Sequence, residues 1–187
     1  MKWKKNLSEI NLNNSGKIFK IQIKLNIEQL KILMNKDKPI QRSEYLKPLS
    51  REHHQGLLLC WKIKTGFSKG VALKRIKSYS DWFYKTHLIP HFEAEEKYVF
   101  PVLGNDNKLI IQAIEEHRQL SKLFEDKSGT EASLKQIQTE LEKHIRFEER
   151  TLFDQIQIIA TPEQLTEFKL FHTEEKFIDN CSDEFWK

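Results

Sequence analysis

Two ten-residue tracts, HFEAEEKYVF at 91–100 and HIRFEERTLF at 144–153, repeat one pattern 53 residues apart: His, three residues, Glu-Glu, three residues, Phe. In a helix, residues four apart share a face, with Cβ atoms about 5–6 Å apart, so His91 stands beside Glu95 and His144 beside Glu148. Each tract therefore offers one imidazole and one carboxylate to the same side, a donor pair suited to iron, manganese or zinc. Two such helices face to face would build a cage for two cations.

The flanking residues say which way these pairs point. Around the second tract an apolar stripe runs Leu134, Ile137, Leu141, then His144 and Glu148, then Leu152 and Ile156. Around the first it runs Tyr84, Leu88, His91, Glu95, Tyr98, Val102. Spacings of three and four mark the buried seam of a packed helix, so the titratable residues replace core hydrophobes. A carboxylate there costs several kcal/mol unless it is paired, protonated or bound to a cation. Within the second tract Glu148 is favoured over Glu149: at 100° per residue, +4 lies ~40° from the histidine and +5 ~140° away. Glu149 is expected toward solvent unless the helix distorts.

Two more histidines fit. His117 occupies the seam Ile110, Ala113, His117, Leu120, Phe124 of a third helix. In REHHQGLLLCW the choice lies between His53 and His54. His54 is favoured because Leu57, Leu58 and Trp61 follow it at +3, +4 and +7, whereas His53 meets Gly56, Leu57 and Cys60. A lone seam histidine is more often a hydrogen-bonded core residue. Four of them on four helices, with two seam carboxylates, argue for a bound cation held by His54, His91, Glu95, His117, His144 and Glu148.

The rest of the chain supplies helices to hold them. With 187 residues, only six glycines and five prolines, and 31% charged residues, the composition favours an all-α fold. A first helix is expected from Ser50 to Lys64, stopped by Gly66. A second begins near Ser80 or Asp81, is kinked or restarted at Pro90, and is closed by Pro101 and Gly104. A third ends near Glu125, and a fourth runs from Ser133 to Ile159. Thr161-Pro162 opens a short C-terminal helix, and Phe185 and Trp186 dock from the tail.

Residues 1–33, rich in Lys and Asn, read as an N-terminal extension with a short alternating strand in GKIFKIQIKL; Met34 is the expected start of the domain, 34–187. The net charge of +4 comes from 31 basic and 27 acidic residues mixed along the chain, a solvated surface and not a nucleic-acid footprint. No apolar run reaches the ~18 residues of a membrane span. Cys60 and Cys181 form no framework of disulfides and suit a reducing cytosol.

The order of these motifs, a histidine on the first helix, HxxxE on the second, a histidine on the third and HxxxE on the fourth, resembles the hemerythrin-like (HHE cation-binding) family over about residues 45–160. The resemblance implies an antiparallel up-and-down four-helix bundle with two iron atoms per chain. It makes His54, His91, His117 and His144 terminal ligands and Glu95 and Glu148 bridges, beside an oxo or hydroxo group. The oxygen carriers of that family have HxxxH on the third helix. Here Ser121 stands four residues after His117, which points away from reversible oxygen carriage. Three readings follow: a di-iron protein that binds or senses oxygen, nitric oxide or iron; a di-iron redox enzyme acting on peroxide, nitric oxide or damaged iron–sulfur centres; and a metal-free helical interaction module with an unidentified protein partner. Phe92, Phe100, Phe147, Phe153, Trp61 and Trp82 are candidates to keep the pocket dry, and Tyr98 to hydrogen-bond a ligand. His87 and His172 lack a carboxylate at +4 and carry no expected role.

Overall fold

Three of the helices expected from the hydrophobic spacing are longer than the seam alone suggests, and two of them change their winding at the site. The computed structural model describes residues 42–171 and 177–187. The expected extension 1–33, its strand, the boundary at Met34 and His172 all lie outside those residues. The described residues belong to a compact unit, Gln41–Lys187. Among them every regular element is helical, and no helix is long and apolar enough to cross a membrane.

Helix α1 spans Lys47–Ser68. Rod α2, residues 73–102, starts as Leu73–Phe83, passes through a π turn at Tyr84–Leu88 and an α segment Ile89–Ala94, then a second π turn at Glu95–Val99, and ends in a 3-10 turn, Phe100–Val102. Helix α3 is Lys108–Glu125. Rod α4, residues 131–159, joins Glu131–Phe147 and Phe153–Ile159 through a π turn at Glu148–Leu152. Helix α5 is Pro162–Phe171.

Local chemistry sets the ends. Asn107 caps α3 by accepting from the Leu109 N–H, and Thr130 caps α4 by accepting from the Ser133 N–H. Thr161 and Gln164 exchange side-chain-to-backbone hydrogen bonds at 3.0 and 3.3 Å, the reciprocal capping pattern of Thr-x-x-Gln. Ser50, the expected start of the first helix, lies inside the first turn of α1 instead, after Pro48. Gly66 does not stop the helix. A Cβ there would come within 2.8 Å of Ile76 Cδ1 and 2.9 Å of Phe185 Cε2, so this glycine permits close packing of α2 and the tail. The chain turns at Gly70, whose φ of +64° few other residues adopt. Pro90 comes two residues after the end of a π turn and falls in the first turn of the next segment, where its missing N–H is tolerated; the rod therefore rewinds there without breaking.

Helix α1 packs on α2 and α4, and α3 packs on the same two rods. The buried hydrophobes separate into two clusters. One holds Leu59, Ile63, Ile76, Phe83, Leu120, Phe124, Leu134, Ile137 and Leu141, with Phe185 from the tail. The other holds Leu49, Val99, Phe100, Ile110, Ala113, Leu152, Phe153, Ile156 and, from α5, Phe168. On each of the four long elements the buried histidines and glutamates fall between these clusters in sequence. The core is thus interrupted by one polar layer.

Candidate metal centre

That layer consists of His53 on α1, His91 and Glu95 on α2, His117 on α3, and His144 and Glu148 on α4, all buried, with both glutamates 0% exposed. Their inner atoms converge. His53 Nε2 is 3.0 Å from Glu148 Oε2 and 3.5 Å from Glu95 Oε1. His91 Nε2 is 3.4 Å from Glu95 Oε1, and His117 Nε2 is 3.4 Å from Glu95 Oε2. His144 Nε2 is 3.3 Å from Glu148 Oε2 and 3.1 Å from His117 Nε2. Despite these short distances, His53 Nε2, His91 Nε2 and all four oxygens of Glu95 and Glu148 have no hydrogen-bond partner. Buried, unsatisfied and mutually close, they are arranged around something other than one another.

Two four-residue sets emerge: His53, His91, Glu95 and Glu148, and Glu95, His117, His144 and Glu148. Donors about 2.0–2.2 Å from one cation lie roughly 3.0 Å apart at right angles and 3.4 Å apart in a tetrahedron. The observed separations match that range, so the residues fit a pair of cations sharing two carboxylates.

The outer ring nitrogens are also accounted for. Each histidine presents Nδ1 to a glutamate: His53 to Glu149 at 2.7 Å, His91 to Glu52 at 2.6 Å, His117 to Glu96 at 2.8 Å and His144 to Glu116 at 2.9 Å. With Nδ1–H donating outward, an imidazole that gives up its second proton turns an Nε2 lone pair inward. Such carboxylate–histidine pairs fix ring orientation and raise donor strength. The links close a cycle, since Glu52 of α1 holds the histidine of α2, Glu96 of α2 that of α3, Glu116 of α3 that of α4, and Glu149 of α4 that of α1. The Glu-Glu doublets now have a division of labour, the first residue facing the centre and the second supporting the neighbouring helix.

The π turns make this possible. Both site turns start at the inner glutamate, and i→i+5 winding brings the following residues round to faces that a regular helix would deny them. Glu149, expected toward solvent, is instead 17% exposed and bonded to His53. In α2 the same winding moves burial from the expected Tyr98 and Val102 to Val99 and Phe100. π turns of this kind are frequent at functional sites.

In the metal-free chain the charges respond strongly. Burial opposes a charge on His53, yet Glu148, Glu149 and Glu95 outweigh it and hold its pKa well above the ordinary value. For His117 burial is likewise overcome by Glu95 and Glu96, which raise it to about 9. Burial would raise Glu95, but His91, His117 and His53 hold it well below the usual carboxylate range. Glu149 resists burial too and drops to about 2 beside His53, with Arg42 contributing.

The structure places His53 in the cluster and leaves His54 exposed on the outside of α1. The preference for His54 rested on treating Gly56 as a weak seam position. In fact Gly56 lies where α4 comes closest: a Cβ on it would sit 2.7 Å from Ile145 Cδ1. Trp61, counted as apolar seam, is 51% exposed. One signal would have settled the matter: Glu52-His53 on the first helix recurs as Glu116-His117 on the third, just as HxxxEE recurs on the second and fourth.

Of the aromatic candidates, Phe92 stacks on His117 with centroids 3.9 Å apart, Phe100 covers His117 at 5.5 Å, and Phe153 stacks on His53 at 5.2 Å. Phe147 is partly buried beside the second cluster. Trp82 packs on Tyr79 and His87, away from these rings. His87, half-buried against Trp82, Phe83 and Phe177, has its pKa lowered by burial. Tyr98 is half-buried, with the Lys97 ammonium 4.9 Å from its ring.

A family model described as the hemerythrin HHE cation binding domain matches residues 46–156, more than half of the chain. No curated protein and no solved structure matches it.

Proposed function

The chain belongs to the hemerythrin HHE cation-binding family, and on that footing we propose that it is a non-haem di-iron protein that binds or senses a small diatomic ligand, oxygen or nitric oxide. The observation that carries this reading is the sharing of Glu95 and Glu148 between two four-donor sets. His53 and His91 would hold one iron and His117 and His144 the other, with Glu95 and Glu148 common to both sets. The four long elements are read as an antiparallel up-and-down bundle with a short C-terminal helix, since connections of a few residues return each rod beside the one before it.

Iron held there supplies coordination positions not filled by side chains, at which a diatomic ligand can bind. The protein's own residues do the rest. The outer glutamates keep each imidazole aimed inward, and the two shared carboxylates offset the cation charge in a buried layer. Phe92 and Phe100 cover the imidazole of His117, and Phe153 that of His53, and keep water from those faces.

Anaerobic reconstitution with ferrous iron followed by desalting tests the reading. About two iron atoms per chain are expected from the two donor sets; retention of none would overturn it. On the loaded protein, a stoichiometric spectral change with nitric oxide or oxygen supports ligand binding. Steady consumption of nitric oxide or hydrogen peroxide would instead assign the same centre to a redox enzyme.

A further inference from the structure

The link between Glu149 and His53 has a component that precedes the matched domain. Arg42 lies four residues before the first position of the family match, and its side chain is only 5% exposed. Its Nε donates to Glu149 Oε2 at 3.0 Å, while Glu149 Oε1 accepts from His53 Nδ1 at 2.7 Å. Its Nη1 donates to Asp154 Oδ1 at 2.6 Å. The guanidinium also lies 5.5 Å from the centroid of Phe153, the ring that stacks on His53. One cation therefore touches both groups that confine this imidazole, one at its outer nitrogen and one on its face.

Of the two carboxylates it grips, Glu149 lies within the π turn Glu148–Leu152 and Asp154 two residues beyond it. In a regular helix, positions 149 and 154 would point ~140° apart; i→i+5 winding brings them onto one side. Arg42 spans that side. The segment carrying it is anchored by the Ser43 N–H, which donates to Gln157 Oε1 at 2.6 Å, and by Leu46, fully buried ahead of α1. A planar guanidinium can serve two carboxylates in fixed directions, which an ammonium cannot.

We propose that Arg42 is a positioning residue of the metal centre: it staples the π turn of α4 and holds Glu149 and Phe153 around His53, so that the His53–His91 half of the site depends on it while the His117–His144 half does not. This rests on the cation-centre reading above.

Titration of the full-length chain with Co2+ against a competing chelator, followed by the visible absorption of the bound ion, tests it with a readout independent of activity. The wild-type chain is expected to take up two Co2+, one for each donor set. Arg42→Gln and Arg42→Lys should keep the helical circular dichroism and the first Co2+, and bind the second up to about 10-fold more weakly, at the low end of what loss of the histidine's own outer partner costs, since Glu149 stays in place. Adding His91→Ala to Arg42→Gln should change nothing further relative to His91→Ala alone, whereas adding His144→Ala should weaken both ions. Variants that titrate like wild type, that weaken both ions equally, or that are fully restored by lysine overturn the role of Arg42. A wild-type chain that takes up no Co2+ overturns the cation centre itself, and the role of Arg42 with it.

Discussion

Neighbouring glutamates of the second repeat should respond very differently to deletion. Glu148→Ala removes a donor from both four-residue sets at once, since its oxygens face His53, His144 and His117 at 3.0, 3.3 and 3.8 Å. It also removes one of only two negative charges in the inner layer, so both cations should be lost on desalting. Glu149→Ala leaves every inner donor in place. It frees the outer nitrogen of His53 and leaves Arg42 with Asp154 alone. Loss of such an outer partner weakens cation binding by about 10–100-fold, or about 1.4–2.7 kcal/mol, and here the loss should fall on one cation of the two. Iron content after desalting ranks the two variants, and chelator competition measures the weaker effect. Equal loss in both variants, or a greater loss in Glu149→Ala, would make Glu149 an inner ligand and refute the division of roles within the doublet. An unchanged Glu149→Ala would show that the hydrogen bond to His53 does nothing for binding.

Four other expectations rest on the structure. A chain starting at Met34 should keep the iron content and helical signal of the full one, because residues 1–33 contain no histidine; loss of iron on truncation would refute this. Cation affinity should climb as pH rises toward about 9, with protons released on binding, because His117 holds its proton up to there and His53 is raised as well; a pH indicator during Co2+ addition reads the release, and uptake without it would contradict the assignment. By the same sign, the ion pairing of His117 stabilises the metal-free fold fully below about 6.5 and is lost as pH rises through about 9. Phe185→Ala should destabilise the fold by about 3 kcal/mol, since that ring is buried against Gly66 and Tyr79; urea unfolding measures it, and a change under about 0.5 kcal/mol would mean that the tail does not hold α1 to α2.

The sequence by itself was enough for the helical class, the family, and the inward direction of His91, Glu95, His117, His144 and Glu148. These are consequences of period: a 3.6-residue repeat places every third or fourth side chain on one face whatever that face later meets. The cap at Thr161 was legible for a similar reason, as it acts within one turn. Tertiary structure alone decided what depends on the neighbouring helix. Gly56 looked like a gap in the seam until α4 was seen to pack against it, and that contact is what selects His53 over His54. The π turns at Glu95 and Glu148 are invisible to a count that assumes uniform winding, and they carried Glu149 from the expected surface to the side of His53. The cycle of outer glutamates joins residues up to 96 positions apart. Arg42 reaches across 107 and 112 positions to its two carboxylates. Spacing along one helix says where a side chain points, but only the packing of four helices says which nitrogen it meets.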